Sequence, residues 1–258
     1  MSIDQVDNVR LRRAIAAFGA DSNERTMIEV IRAALVGQLL LDATGSEFDL
    51  REGKPQTGST IRLSSSVGPD GRRAMLAFTC NDEIARMHPA GTQHQSIAQP
   101  AAGVFEMAKK QGAGWLYLDP ADKTAALSSK DIDFALRHPR NDRLSGAIAA
   151  GEAGGSRETI VAALRADGPI LLAGELRSRE RRNEQPRLRM SEKPDGTRAL
   201  LAFTSAPEVA ARNPQDGIIN TTTAKLRAQL RTSTLFSSII VNPAGPFVEV
   251  SREEFVGD

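Results

Sequence analysis

Twelve residues, Pro69-Asp70-Gly71-Arg72-Arg73-Ala74-Met75-Leu76-Ala77-Phe78-Thr79-Cys80, return 125 positions later as Pro194-Asp195-Gly196-Thr197-Arg198-Ala199-Leu200-Leu201-Ala202-Phe203-Thr204-Ser205. Solenoid units run roughly 20 to 50 residues, so a period of this length is that of a whole domain. The chain must therefore fold as two similar domains. Each copy then serves as a control for any function assigned to the other.

The two copies align in four blocks. Asn8-x-x-Leu11-x-x-Ala14-Ile15-Ala16-Ala17 lies over Asn141-x-x-Leu144-x-x-Ala147-Ile148-Ala149-Ala150, and the apolar spacing predicts a short helix capped near each asparagine. A second helix follows, with Met27, Ile28, Ile31, Ala34 and Leu35 on its apolar face in copy one, and Ile160, Val161 and Leu164 in copy two. Each runs into an apolar strand, Leu39-Leu40-Leu41 or Ile170-Leu171-Leu172. Residues 42–67 and 173–193 then diverge, although alternation at Ile61 and Leu63, and at Leu188 and Met190, suggests a half-buried strand. Pro-Asp-Gly is strong turn chemistry and should close a hairpin onto Ala74–Phe78 and Ala199–Phe203.

After Thr79 or Thr204 the chain turns helical, with Thr or Ser expected as the cap. The fourth block holds an amphipathic helix (101–111 or 222–231), a buried-looking strand and a turn, Asp119-Pro120 or Asn242-Pro243. A last strand and the start of a helix close each copy. The expected class is α+β: two similar domains, residues 1–138 and 139–258, each a mixed β-sheet with helices packed against it. The short junction favours an intramolecular pseudo-dimer over beads on a string.

Leu200-Leu-Ala-Phe203-Thr204-Ser205 before a helix, then Ile239-Ile-Val-Asn242-Pro243-Ala-Gly245, together with the opening Asn-x-x-Leu-x-x-Ala helix, resemble the SseB family. The resemblance covers both halves and is closer in copy two. Copy one departs from the pattern at Cys80, Asp119 and Asp122, where the family carries Ser, Asn and Gly. The resemblance implies no particular enzymatic reaction. Related domains occur near secretion and toxin systems, which by analogy implies a protein-binding role.

Composition narrows the function classes. Thirty-three basic against 32 acidic residues leave a charge of +1, so a nucleic-acid footprint is not expected. A lone cysteine rules out an internal disulfide and suits a reducing compartment. With no basic n-region followed by an apolar core, and no long apolar run, the expectation is a cytoplasmic chain without a membrane span. P-loop, nucleophile-elbow, His-Glu-x-x-His and dinucleotide fingerprints do not occur. No cofactor or metal is expected.

Cys80, with His88 and His94 downstream, allows a Cys–His nucleophile, but Ser205 and Asn213 stand at the positions of Cys80 and His88 in copy two. A capping role for Cys80 is therefore favoured. Trp115 reads as a core residue with Tyr117 on its face. The divergent segments carry unlike charge. Copy two has Arg177, Arg179, Arg181, Arg182, Arg187 and Arg189 among Glu175, Glu180 and Glu184. Copy one has Asp42, Glu47, Asp49 and Glu52 in the corresponding region. A solvated hairpin face is the bland meaning of such charge. The functional one is that the arginines bind a partner protein with an acidic surface, and that the acids of copy one contact the other copy or a partner.

The expected function is a non-enzymatic protein-binding or regulatory module, as an adaptor, chaperone-like or immunity protein of a bacterial secretion or toxin system. Further self-association is compatible with it. The alternative is an enzyme or small-ligand binder using the cleft between the copies, with Thr79, Cys80, Asp82, His88 and Asp119 as candidate polar groups.

Overall fold

Asn8 and Asn141 begin the two copies in the same way: each side chain accepts the backbone N–H three residues on, from Leu11 (3.1 Å) or Leu144 (3.0 Å). The computed structural model describes residues 6–47, 50–51, 54–55, 60–175 and 187–257. It falls into two compact units, Met1–Asp133 and Phe134–Asp258. The division comes slightly before the expected 138/139, because Phe134 packs on Leu171, Leu201 and Phe203 of the second unit.

The first copy runs α1 (Val9–Ala20), α2 (Glu24–Ala34), β1 (Gln38–Asp42), the small pair β2 (Leu50–Arg51) and β3 (Lys54–Pro55), β4 (Ser65–Val67), β5 (Arg73–Ala77), α3 (Asn81–Ala85), β6 (Ser96–Pro100), α4 (Ala101–Lys110), β7 (Trp115–Leu118), β8 (Ala125–Ser128) and α5 (Ser129–Leu136). The second runs α6 (Asp142–Glu152), α7 (Arg157–Arg165), β9 (Pro169–Gly174), β10 (Met190–Glu192), β11 (Arg198–Phe203), α8 (Ala206–Arg212), β12 (Gly217–Thr222), α9 (Thr223–Thr232), β13 (Ser238–Val241), β14 (Val248–Ser251) and α10 (Arg252–Val256).

The second sheet has the order β12-β9-β11-β13-β14, with β10 along the start of β11. The first repeats it as β6-β1, joined by the Leu40–Phe78 bridge to β5-β7-β8, with β4 along β5. Register is kept as well: Ala74 faces Trp115 in the parallel β5–β7 pair, and Ala199 faces Ser238 in β11–β13. One parallel pair inside antiparallel ladders makes both sheets mixed, as the α+β reading requires.

Helices cover both faces. In copy two, Leu144, Ile148, Leu164, Leu226 and Phe255 from α6, α7, α9 and α10 pack with Ile170, Leu200, Ile239 and Val250 of the sheet. On the opposite face Leu171, Leu201 and Phe203 meet Ala206 and Val209 at α8. Copy one repeats that second face with Leu40, Leu76, Phe78 and Ile84, and Tyr117 packs against it.

Three local expectations need correction. The residues preceding α3 and α8 are Cys80 and Ser205, both extended, and neither side chain caps its helix. The strand ahead of the first hairpin begins at Ser65, and Ile61 is 50% exposed. The Pro-Asp-Gly turn itself holds, with Gly71 and Gly196 at φ +78° and +79°, where glycine carries no Cβ penalty. Trp115 is only half-buried. Leu116 and Leu118 take the covered face of β7, and the indole lies over Gly68, donating Nε1–H to Asp70 Oδ1 (2.9 Å).

Candidate functional site

The node that joins the repeated words is a threonine at the end of the central strand. Thr79 donates its N–H to Asp119 Oδ1 and its hydroxyl to Asp119 Oδ2, both at 2.8 Å, while its carbonyl accepts Asn8 N–H (2.9 Å). Thr204 repeats this with Asn242 Oδ1 (3.0 Å from the N–H) and Asn141 (2.9 Å). The acceptor residue turns the chain at positive φ, +49° for Asp119 and +54° for Asn242, a region that Asp and Asn tolerate better than other side chains. The Thr step and the Asx-Pro turn are therefore two ends of one hydrogen-bonded joint.

Copy one builds a charged pocket on this joint. α1 brings Arg12, whose Nη1 donates to Thr79 Oγ1 (3.2 Å) and whose Nη2 donates to Asp7 Oδ1 (2.5 Å). The α3 turn brings Cys80, Asp82, Glu83 and Arg86. Glu83 is 5% exposed and accepts Arg86 Nη1 at Oε1 (2.6 Å). Two cavities of about 460 and 210 Å³ share Arg12, Glu83 and Arg86 in their walls. The larger adds Cys80 and Asp82, and the smaller Asp119, Asp122 and Lys123. Burial pushes the Asp119 carboxyl above its ordinary range, and repulsion from Glu83 adds to this against the Thr79 hydrogen bonds and Arg12.

Copy two keeps the joint but not the charges. Ser145 stands at the position of Arg12, Ala211 at that of Arg86, Asn242 at that of Asp119 and Gly245 at that of Asp122, while Glu208 remains. The structure thus brings four of the sequence-selected polar residues, Thr79, Cys80, Asp82 and Asp119, to one place within copy one. Arg12, Glu83 and Arg86 were missed, although Arg12 against Ser145 and Arg86 against Ala211 are visible once the copies are laid in register.

His88 belongs elsewhere. Its Nε2 lies 2.9 Å from Asp42 Oδ2, which also accepts the Ser64 hydroxyl (2.6 Å), while Asp42 Oδ1 accepts Thr44 N–H (3.0 Å). Here the carboxylate sits between Ser and His, whereas a nucleophile triad needs the imidazole in the middle. Burial opposes ionisation of Asp42, but the bonds from Ser64, Thr44 and His88 outweigh it and hold the carboxyl below its usual range. Asp42, counted from sequence among contact acids, is 2% exposed and is an internal latch instead.

Copy two latches the same segment by other means. Arg189 occupies the position of Ser64 and Asn213 that of His88. Both bind Asp216 Oδ1, at 2.9 Å from Arg189 Nε and 3.0 Å from Asn213 Nδ2. Arg189 also approaches Glu175 (3.5 Å). Arg187 is exposed, and its carbonyl accepts Glu175 N–H (3.4 Å). Glu47 is exposed and bridges Thr60. Arg177, Arg179, Arg181, Arg182, Asp49 and Glu52 lie outside the described residues.

A duplicated α+β domain, with a mixed sheet between helices and a Thr–Asx joint at its centre, defines the class of protein. The SseB protein N-terminal domain family matches the chain twice, over residues 11–133 and 144–255. The chain belongs to the SseB family and carries two copies of its domain. No curated protein and no solved structure matches the chain. Among the described residues, no helix is long and apolar enough to cross a membrane.

Proposed function

We propose that this tandem SseB-family chain is a non-enzymatic protein-binding module, serving as an adaptor, chaperone-like or immunity protein of a bacterial secretion or toxin system. The observation that carries the reading is the contrast between the copies. Sheet order, register and the Thr–Asx joint are common to both, while the charged groups around them differ. Recognition is the function expected to diverge on a retained scaffold. In copy two the ends of the arginine-bearing segment are clasped by the Gly174–Leu188 bridge and by Arg189 N–H to the Ala173 carbonyl (2.8 Å). Four arginines against two glutamates within 176–186 suit a partner with an acidic surface.

Affinity capture from the native cell, followed by mass spectrometry, tests this with the wild-type chain and an Arg179→Glu/Arg181→Glu/Arg182→Glu variant. The expected result is a partner retained by wild type and depleted by the charge reversal. Equal recovery from both would refute the role of the arginines.

A second reading, a small-ligand binder, draws on one observation: the raised Asp119 carboxyl beside Glu83 in a walled pocket. Cys80 does not strengthen it, since His88 is bound to Asp42 and not to the thiol.

A further inference from the structure

Among the described residues, Ser238 Oγ is the one buried side-chain polar atom without a hydrogen-bond partner. Ser238 begins β13 and is 3% exposed. Its hydroxyl lies near enough to the Glu249 carboxyl to help Lys193 hold it below its ordinary range, but makes no hydrogen bond to it. A buried hydroxyl in this state is costly unless a hydrogen-bonding group from outside completes it. Ser238 sits in the wall of a cavity of about 420 Å³ at the Pro-Asp-Gly end of the second sheet.

The walls exclude most classes of ligand. Every side chain in them is polar, so an apolar group would strip water from charges without replacing it. The buried-side charges are matched in pairs, Arg157 with Glu254 (2.9 Å) and Lys193 with Glu249, so an ion gains a partner there only by breaking a pair. Asp195 stands at the exposed rim, where an ion pair is worth little. Among the described residues, no three His, Cys, Asp or Glu side chains group so as to hold a metal. Hydroxyl chemistry remains. Thr197 and Ser237 spend their protons on Asp195 Oδ1 (2.7 Å) and the Arg198 carbonyl (3.2 Å), which leaves their oxygens as acceptors, while Ser238 can donate or accept.

Copy one is the internal control. It carries Trp115 at the position of Ser238 and Gly114 at that of Ser237. The indole lies over Gly68 and donates to Asp70, and Arg72 packs against Gly114. Copy one thus fills with its own side chains the place that copy two leaves open. We propose that the cavity between the Pro-Asp-Gly turn, β13, β14 and the start of α7 in copy two binds a neutral polyhydroxyl compound, a monosaccharide or alditol. Ser238 bonds one ligand hydroxyl at the floor, and Asp195 accepts another at the rim. The site lies apart from the charged pocket of copy one and does not depend on the protein-binding reading.

The test uses the full chain and D-sorbitol as probe, followed by amide chemical shifts, with glycine betaine at matched osmolality as a control that has no hydroxyls. The expected result is saturable shifts confined to residues around Thr197, Ser238 and Glu249, with a dissociation constant on the order of 10 mM, that of a ligand held by a few neutral hydrogen bonds. Ser238→Ala should weaken binding about fivefold, the loss of one such bond. Its unfolding temperature should stay at or above that of wild type, because the hydroxyl removed has no internal partner. Shifts that never saturate, or that betaine reproduces, would overturn the proposal. So would a Ser238→Ala chain that binds sorbitol as wild type does, or one that unfolds at a lower temperature, since the hydroxyl would then belong to the scaffold.

Discussion

Gly68 and Trp115 form a pair whose coupling can be worked from geometry. A Cβ placed on Gly68 would lie 2.1 Å from Trp115 Cδ1 and 2.5 Å from Nε1. Carbon contacts settle at about 3.5–4.0 Å, so the indole must swing away rather than yield slightly. Gly68→Ala then carries an overpacking cost of about 1–3 kcal/mol, at its lower end because the ring is half-exposed. Loss of the Trp115–Asp70 hydrogen bond adds about 1 kcal/mol, for a total near 2 kcal/mol.

Copy two shows the compensated arrangement. Lys193 stands at the position of Gly68 and Ser238 at that of Trp115, and Lys193 pairs with Glu249. Trp115→Ser should therefore remove the clash. The double variant is expected to be more stable than the sum of the singles by about 1–2 kcal/mol. Urea unfolding followed by far-ultraviolet circular dichroism measures the cycle. Because Trp115 is the only tryptophan, its emission also reports the ring directly and should shift to longer wavelength in Gly68→Ala. A Gly68→Ala protein with wild-type stability and emission, or strictly additive energies, would refute the packing argument.

Other expectations can be checked on the same footing. Asp42→Ala leaves Ser64 and His88 without their acceptor and should cost about 2 kcal/mol by urea unfolding at pH 7. The folded Asp42 carboxyl lies below its ordinary value, so in wild type its contribution is present above about pH 4 and is lost as pH falls through the folded value. The Ala variant should show a shallower acid limb between pH 5 and pH 3, or thereabouts. Arg189→Ala leaves the buried Asp216 with Asn213 alone. Its expected cost is about 2 kcal/mol, below that of a fully buried pair because Arg189 is partly open to water. Phe78→Ala and Phe203→Ala, both at 0% exposure, should each cost about 3–5 kcal/mol, and a cost below 1 kcal/mol for either would contradict their core placement.

The scaffold was legible because its determinants are local and were written twice. Apolar spacing after Asn8 and Asn141, the Pro-Asp-Gly turns and the Phe-Thr steps each correspond to an element or joint found in both copies. Less legible were contacts whose partners are distant in sequence. Thr79 and Asp119 were both selected, but nothing local shows that forty residues separate the ends of one hydrogen-bonded joint. Arg12 and Arg86 lie 74 residues apart in the sequence, and only the fold brings them to the walls of the same cavities. Trp115 read as core because strand alternation assigns a face and not a degree of cover. Asp42 read as surface because its charge hid the latch that buries it.

The most direct test of the account concerns Asp119 itself. Its folded carboxyl is raised, so the ionised form opposes folding: the penalty sets in as pH rises through the ordinary carboxylate value, near 3.9, and is complete above the folded value. If copy one keeps that charge for recognition, Asp119→Asn should stabilise the chain by about 1 kcal/mol at pH 7, with the advantage vanishing in acid. An Asp119→Asn chain that unfolds at a lower temperature than wild type at pH 7 would show that the carboxylate is part of the scaffold and contradict the account.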